Sequence, residues 1–138
     1  MAQLQRAVVN VSNAPQPLGA YSQAIRARAG ELVFIAGQVS VDIDGNLVGE
    51  NDVAAQTRQV FDNLGRILAG VGASFSHVLE FTTYVVGREA IQPYMQTRME
   101  IFPKIFPNKD YPHNTLLVVS GLVREEFSLE IKAVAALP

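Results

Sequence analysis

Apolar and polar positions along the chain change period several times, and each change marks an element. Ser22–Arg28 and Leu32–Val39 read as two strands joined through Ala29-Gly30, a hairpin turn. Asp42–Gly45 carries loop chemistry, with Asp44-Gly45 suited to positive φ. From Asn51 the spacing becomes helical: Val53, Val60, Leu64, Ile67, Leu68 and Val71 recur on one face, with Asn51 or Asp52 as N-cap and Gly70 or Gly72 as the stop. Val78–Val86 is β-branched and aromatic enough for a buried strand. A second helix is expected from about Ala90, with Pro93 tolerated in its first turn and Tyr94, Met95, Ile101 and Phe102 on its apolar face. Pro103 and Pro107 end or kink that helix. Two last strands, Thr115–Val119 and Phe127–Ala135, flank a charged loop at Arg124-Glu125-Glu126. Interleaved strands and helices without a low-complexity linker predict one compact α+β domain over residues 1–138.

Composition narrows the functional classes. Eleven basic against thirteen acidic residues leave a formal charge of −2 with the cations scattered, so no nucleic-acid partner is expected and RNA cleavage lacks electrostatic support. No apolar run approaches the roughly eighteen residues of a membrane span, and the first sixteen residues lack a signal-peptide core, so a cytoplasmic address and no membrane partner are expected. With no cysteine there is neither a disulfide nor a thiol nucleophile. His77 and His113 show no metal-ligand spacing with carboxylates, and no phosphate-binding loop, dinucleotide fingerprint or serine elbow is present. Neither a metal nor a cofactor is therefore expected. Arg88 and Arg98 read most simply as surface charges, and Phe102–Tyr111 as core and turn.

Five stretches, in order, carry a resemblance over nearly the whole chain. They are AYSQAI at Ala20–Ile25, FIAGQVSVD at Phe34–Asp42 followed by DGNLV, QTRQVFDNLGRIL at Gln56–Leu68, TTYVV at Thr82–Val86 and LEIKAVA at Leu129–Ala135. Together they resemble the RidA/YjgF family of imine/enamine deaminases, earlier labelled endoribonucleases or translation inhibitors. The resemblance implies a chorismate-mutase-like fold: a six-stranded mixed sheet with two helices on one face, assembled as a homotrimer around a central barrel. It also implies ligand clefts between subunits, taking a small metabolite.

Carried over residue by residue, the family pattern is altered here. Its arginine, whose guanidinium fork matches a substrate carboxylate, falls at Asn114. Its water-holding glutamate is aligned with Lys132, two residues after Glu130. A small hydroxyl residue becomes Ala36 while Gly37 and Gln38 remain, a common cysteine becomes Leu116, an amide residue of the pocket is aligned with Gln96, and Tyr21 is kept. Tyr21 and Glu130 are the catalytic candidates; Tyr21, Ala36, Gly37, Gln96, Asn114, Leu116 and Lys132 are the ligand-binding ones. Exchanging a bidentate cation for an amide should weaken carboxylate binding by about one to two orders of magnitude, so slow turnover of 2-iminobutanoate or 2-iminopropanoate is expected. Strand alternation puts Glu130 and Lys132 on one face, which makes Lys132 a candidate replacement cation on a strand taken to neighbour Asn114; its competing role is a solvated lysine or an intersubunit ion-pair partner. Asn114 competes with a role in satisfying local backbone. Three functions follow: a diverged hydrolase of imines, enamines or related metabolites, a non-catalytic metabolite-binding trimer, and an RNA-cleaving or translation-inhibiting protein.

Overall fold

The computed structural model of the protein describes residues 4–138, so the start of the predicted 1–138 domain lies outside the described residues. In chain order the elements are β1 (Gln5–Val9), β2 (Ala24–Arg28), β3 (Glu31–Gln38), α1 (Val53–Gly70), β4 (Val78–Val86), α2 (Ile91–Ile105), β5 (His113–Val119) and β6 (Leu129–Leu137). This is the expected α+β class with six strands and two helices. The strands divide into an antiparallel β1-β2 ribbon and a four-stranded mixed sheet of order β3-β6-β4-β5, in which only β4 and β5 run parallel. A parallel pair needs a crossover connection, and α2 supplies it.

Two strand expectations change. The segments joined by Ala29-Gly30 do not pair as a hairpin: β2 pairs with β1, while β3 crosses to β6 with Val33 opposite Ala135. At the switch Gly30 donates its N–H to Leu137 O at 3.0 Å, and an added Cβ there would lie 2.6 Å from the Pro138 carbonyl oxygen. In addition, β5 and β6 are not neighbours, because β4 lies between them. Arg6 fastens the ribbon to the larger sheet by donating from Nε to Val78 O at 3.0 Å and from Nη2 to Asp110 O at 3.0 Å. Burial lowers the pKa of its guanidinium, and the charge of Asp110 opposes that shift.

Helix α1 starts as its sequence requires. Asp52 accepts from Ala55 N–H at 3.0 Å, satisfying a first-turn donor, and Gly72 turns the chain away with φ +78°. Val60, Leu64 and Leu68 are buried and Val53 and Ile67 half-buried, whereas Val71 is the exposed C-cap. The same face buries polar Gln56, whose amide donates to Gly49 O and Glu126 O, both at 2.9 Å, and accepts from Ser128 N–H at 2.8 Å. One side chain therefore fixes the segment that leads into β6. Helix α2 keeps Pro93 in its first turn and passes through Pro103 on its exposed side, where water can serve the freed carbonyl, before stopping at Phe106. Phe61, Phe81, Phe102, Phe106 and Tyr111 interlock beneath the helices, with Phe102 and Phe106 centroids 5.0 Å apart and edge-on.

Both helices cover the same face of the four-stranded sheet. Register and strand alternation put Phe34, Val134, Lys132, Glu130, Thr82, Tyr84, Thr115 and Leu117 on the other face, which is bare in the single chain. Phe34 there is 75% exposed and Leu117 42%. Among the described residues no helix is long and apolar enough to cross a membrane.

Candidate functional site

The AYSQ run is tied down beside the entry to β5. Ser22 N–H donates to Pro112 O at 3.3 Å and its hydroxyl donates to Tyr111 O, so Tyr21 is carried to the free edge of β5. There a cleft of about 380 Å³ opens between this loop, α2 and β5, lined by Tyr21, Met95, Arg98, Asn114 and Leu116 among others. The Tyr21 hydroxyl accepts from Leu18 N–H at 3.1 Å, and a phenol that accepts once still has its own proton to donate. Asn114 points to the helix side of the sheet. Its Oδ1 accepts from the Thr83 hydroxyl at 2.9 Å, and that hydroxyl lies 3.4 Å from Tyr94 Oη. The amide is therefore held by a buried side chain rather than by local backbone, with its NH₂ left to donate.

Arg98, read from sequence as a surface charge, is only 3% exposed. Its guanidinium carbon lies 5.5 Å from the Tyr94 ring centroid and 5.4 Å from that of Phe102, within cation–π range. Nε has no hydrogen-bond partner, and no carboxylate pairs with the side chain among the described residues. The signal was present in the spacing. Arg98 follows Tyr94 by four residues and precedes Phe102 by four, so it belongs to the apolar face of α2 and must be buried with it.

A second group sits at the other edge. Between Ile35 opposite Ala133 and Gln38 opposite Ile131, the two residues Ala36 and Gly37 of β3 oppose the single Lys132 of β6, a β-bulge. The Glu130 side chain folds over Gly37, where any Cβ would overlap its carboxyl group. The close approach that a strand glycine permits is made here by a carboxylate. Ala36 is exposed beside it.

Tyr21, Asn114 and Leu116 are thus brought together, as are Ala36, Gly37 and Glu130, but the two groups are apart. Three strand spacings of about 4.8 Å separate Ala36 and Gly37 on β3 from β5, and two, or about 10 Å, separate Glu130 on β6 from it, with Glu130 on the bare face and Asn114 on the helix side. Lys132 is exposed and lies in register with Thr82, which pairs with Thr115, so it points to the bare face while Asn114 points to the helices. It does not stand beside Asn114, because an intervening strand and the opposite pleat separate them. Gln96 is exposed on α2 and does not line the cleft. His113 joins Glu80 at 3.2 Å and His77 Nδ1 accepts from Ser74 N–H at 3.0 Å, which places both in local structure. A larger groove of about 610 Å³ between α1 and α2 has the apolar walls Phe61, Phe75, Ile101 and Ile105, and Arg58 and Arg66 at its rim are already paired with Glu100 and Asp62.

The chain is similar over nearly its whole length to known proteins. The family described as Endoribonuclease L-PSP matches residues 11–137. A RutC family protein of Pyrococcus horikoshii is 34% identical over 128 residues, spanning 93% of this chain and 95% of its own. The chloroplastic Reactive Intermediate Deaminase A of Arabidopsis thaliana is 34% identical over 135 residues, covering 97% of this chain and 67% of its own length. Among solved structures, a Rid family protein of Yersinia pestis, YyfB, superposes with a TM-score of 0.86 at 32% identity over 96% of this chain and 98% of the other.

Proposed function

The chain belongs to the Endoribonuclease L-PSP family, the RidA/YjgF group, and on that premise we propose that it hydrolyses C=N bonds of small metabolites in a site shared between copies of itself. One observation carries the reading. The donors Tyr21 and Asn114 and the cation Arg98 lie at the β5 edge of the sheet, the carboxylate of Glu130 reaches from the inner strand β6 over Gly37 of the β3 edge, and the sheet face that Glu130 shares is bare and partly apolar. A head-to-tail contact would set the first edge of one copy against the second edge of the next. Contacts of that kind close as rings, and a homotrimer is the ring that the family resemblance implies.

In such a site the imine lies in the cleft with its carbon facing Glu130 of the neighbouring copy. Glu130 takes a proton from water as the water oxygen bonds to the imine carbon, the C=N electron pair moves to nitrogen, and Glu130 passes that proton to the nitrogen to give the carbinolamine. Glu130 then takes the carbinolamine hydroxyl proton as the carbonyl forms and the C–N bond breaks, and delivers it to the nitrogen, which leaves as ammonia. Tyr21 donates a hydrogen bond to the reacting group, and Gly37 keeps room for the carboxylate. Asn114, in place of the family's arginine, supplies direction without charge, so turnover of 2-iminobutanoate should be slow beside an arginine-bearing relative.

The test uses imines released in situ by an amino-acid oxidase, followed by loss of their absorbance. Glu130→Gln should lower turnover by about a hundredfold or more, the usual contribution of a general base. Tyr21→Phe should also be impaired. Co-refolded equal mixtures of the two variants should recover up to about a quarter of the wild-type sites, because a random ring pairs an intact donor edge with an intact carboxylate edge that often. Absence of recovery would place both edges in one chain's site and sink the shared cleft. Ligand binding without any turnover would identify a metabolite-binding assembly that has lost the chemistry.

A further inference from the structure

We propose that Arg98 is the anion anchor of this cleft, so that its ligands are small 2-oxo or 2-imino acids whose carboxylate is gripped from α2 rather than from the strand that carries Asn114. The proposal rests on the shared-site reading for the location of the cleft, but not on its hydrolytic step. A cation buried without a counter-charge is costly, and proteins keep buried charges paired. Arg98 is 97% buried, its Nε has no hydrogen-bond partner, and it makes no ion pair among the described residues. Two aromatic faces hold the guanidinium plane through Tyr94 and Phe102, so the fork is pre-oriented before a ligand arrives.

The surroundings fit an incoming carboxylate. Arg98 lines the same cleft as Tyr21 and Asn114, which have an O–H and an NH₂ left to donate. Among the described residues no acidic side chain lines that cleft. Gly19 of the loop comes close to this guanidinium, since a Cβ there would be in van der Waals contact with Nη2 at 3.4 Å. Charge, two neutral donors and an apolar wall from Met95 and Leu116 together describe a short acid with a polar carbon next to its carboxylate. A carboxylate held from α2 sits differently from one held by β5, so the imine carbon of 2-iminobutanoate would be offered to the attacking water in a different pose.

Calorimetry of the intact assembly with pyruvate, a stable carbonyl analogue of the imine, tests the assignment. Wild type should bind pyruvate, and bind neutral pyruvamide at least about tenfold more weakly. Arg98→Met, which keeps the volume and removes the charge, should reduce pyruvate to the pyruvamide level, a loss of between about tenfold and a hundredfold; Arg98→Lys should fall between. Lys104→Ala, removing an exposed cation of the same helix, serves as the control and should leave affinity unchanged. Wild-type affinity for pyruvate in a folded Arg98→Met protein, equal affinity of wild type for pyruvate and pyruvamide, or no wild-type pyruvate binding at millimolar concentration would each overturn the proposal. If Arg98→Met does not fold, the wild-type pair and Arg98→Lys decide. Pyruvate binding that persists in a protein with no imine turnover would end the hydrolase reading and leave the anchor standing.

Discussion

At the scale of single residues, Gly37 offers a probe that separates chemistry from stability. A methyl group there meets only the flexible end of Glu130, and the backbone at this position has no positive φ to accommodate. Gly37→Ala should therefore change unfolding free energy by no more than about 1 kcal/mol. It should nevertheless displace the Glu130 carboxylate and lower imine turnover by about tenfold or more, since misplacing a reacting group by about 1 Å costs up to a hundredfold. A denaturation curve and a turnover assay on one preparation check both halves, and full activity would remove Glu130 from the site. Part of this was legible in the chain: Gly37 invites close approach, Tyr21 falls in a matching run, and Asn114 stands where the family pattern has its arginine. The burial of Arg98 was readable only by placing it on the helix face with Tyr94 and Phe102. The position of Glu130 was hidden because a bulge shifts the β3–β6 register at Ala36-Gly37, and strand alternation alone does not reveal a bulge.

At the scale of elements, the local patterns located most of the structure. The strand read over Val78–Val86 is observed with those bounds, and the expected N-cap and stop of α1 are present at Asp52 and Gly70. Partner choice was not legible, because a strand's own alternation does not say which strand it pairs with; the Gly30 bond to Leu137, at the switch to β6, joins residues far apart in sequence. β1 was not read at all: five residues with Val9 half-buried carry little signal beside the sheet they lean on. Gln56 shows how elements are locked together, since it satisfies Gly49, Glu126 and Ser128 from inside the core. Gln56→Ala removes the partner of three half-buried backbone groups and should cost about 3 kcal/mol, or about 10 °C in Tm. Because the same bonds hold the approach to β6, a thermal scan should show this loss together with reduced turnover. A shift of less than about 2 °C would mean that water replaces the side chain.

At the scale of the whole molecule, the bare sheet face is the feature that a single chain leaves unresolved. Phe34 stands 75% exposed on β3 while its neighbours on the helix side are packed, and a large aromatic left in water on an uncovered sheet face is a candidate contact point for a neighbouring copy. The two half-sites flank that surface, so the contact that covers Phe34 is also the contact that would join Glu130 to Tyr21, Asn114 and Arg98. This coupling gives a prediction in which assembly and activity move together. Phe34→Asp places a charge where a neighbouring copy is expected to pack, and an unpaired charge in an interface costs several kcal/mol, enough to shift a ring toward free chains at micromolar concentration. The internal core is untouched, because Phe34 contributes nothing to the packed face. Light scattering should therefore report loss of a trimer with secondary structure retained, and imine turnover should fall to background in the same samples. A monomeric wild-type protein would remove the premise, and an active monomeric Phe34→Asp protein would show that one chain completes the site by itself.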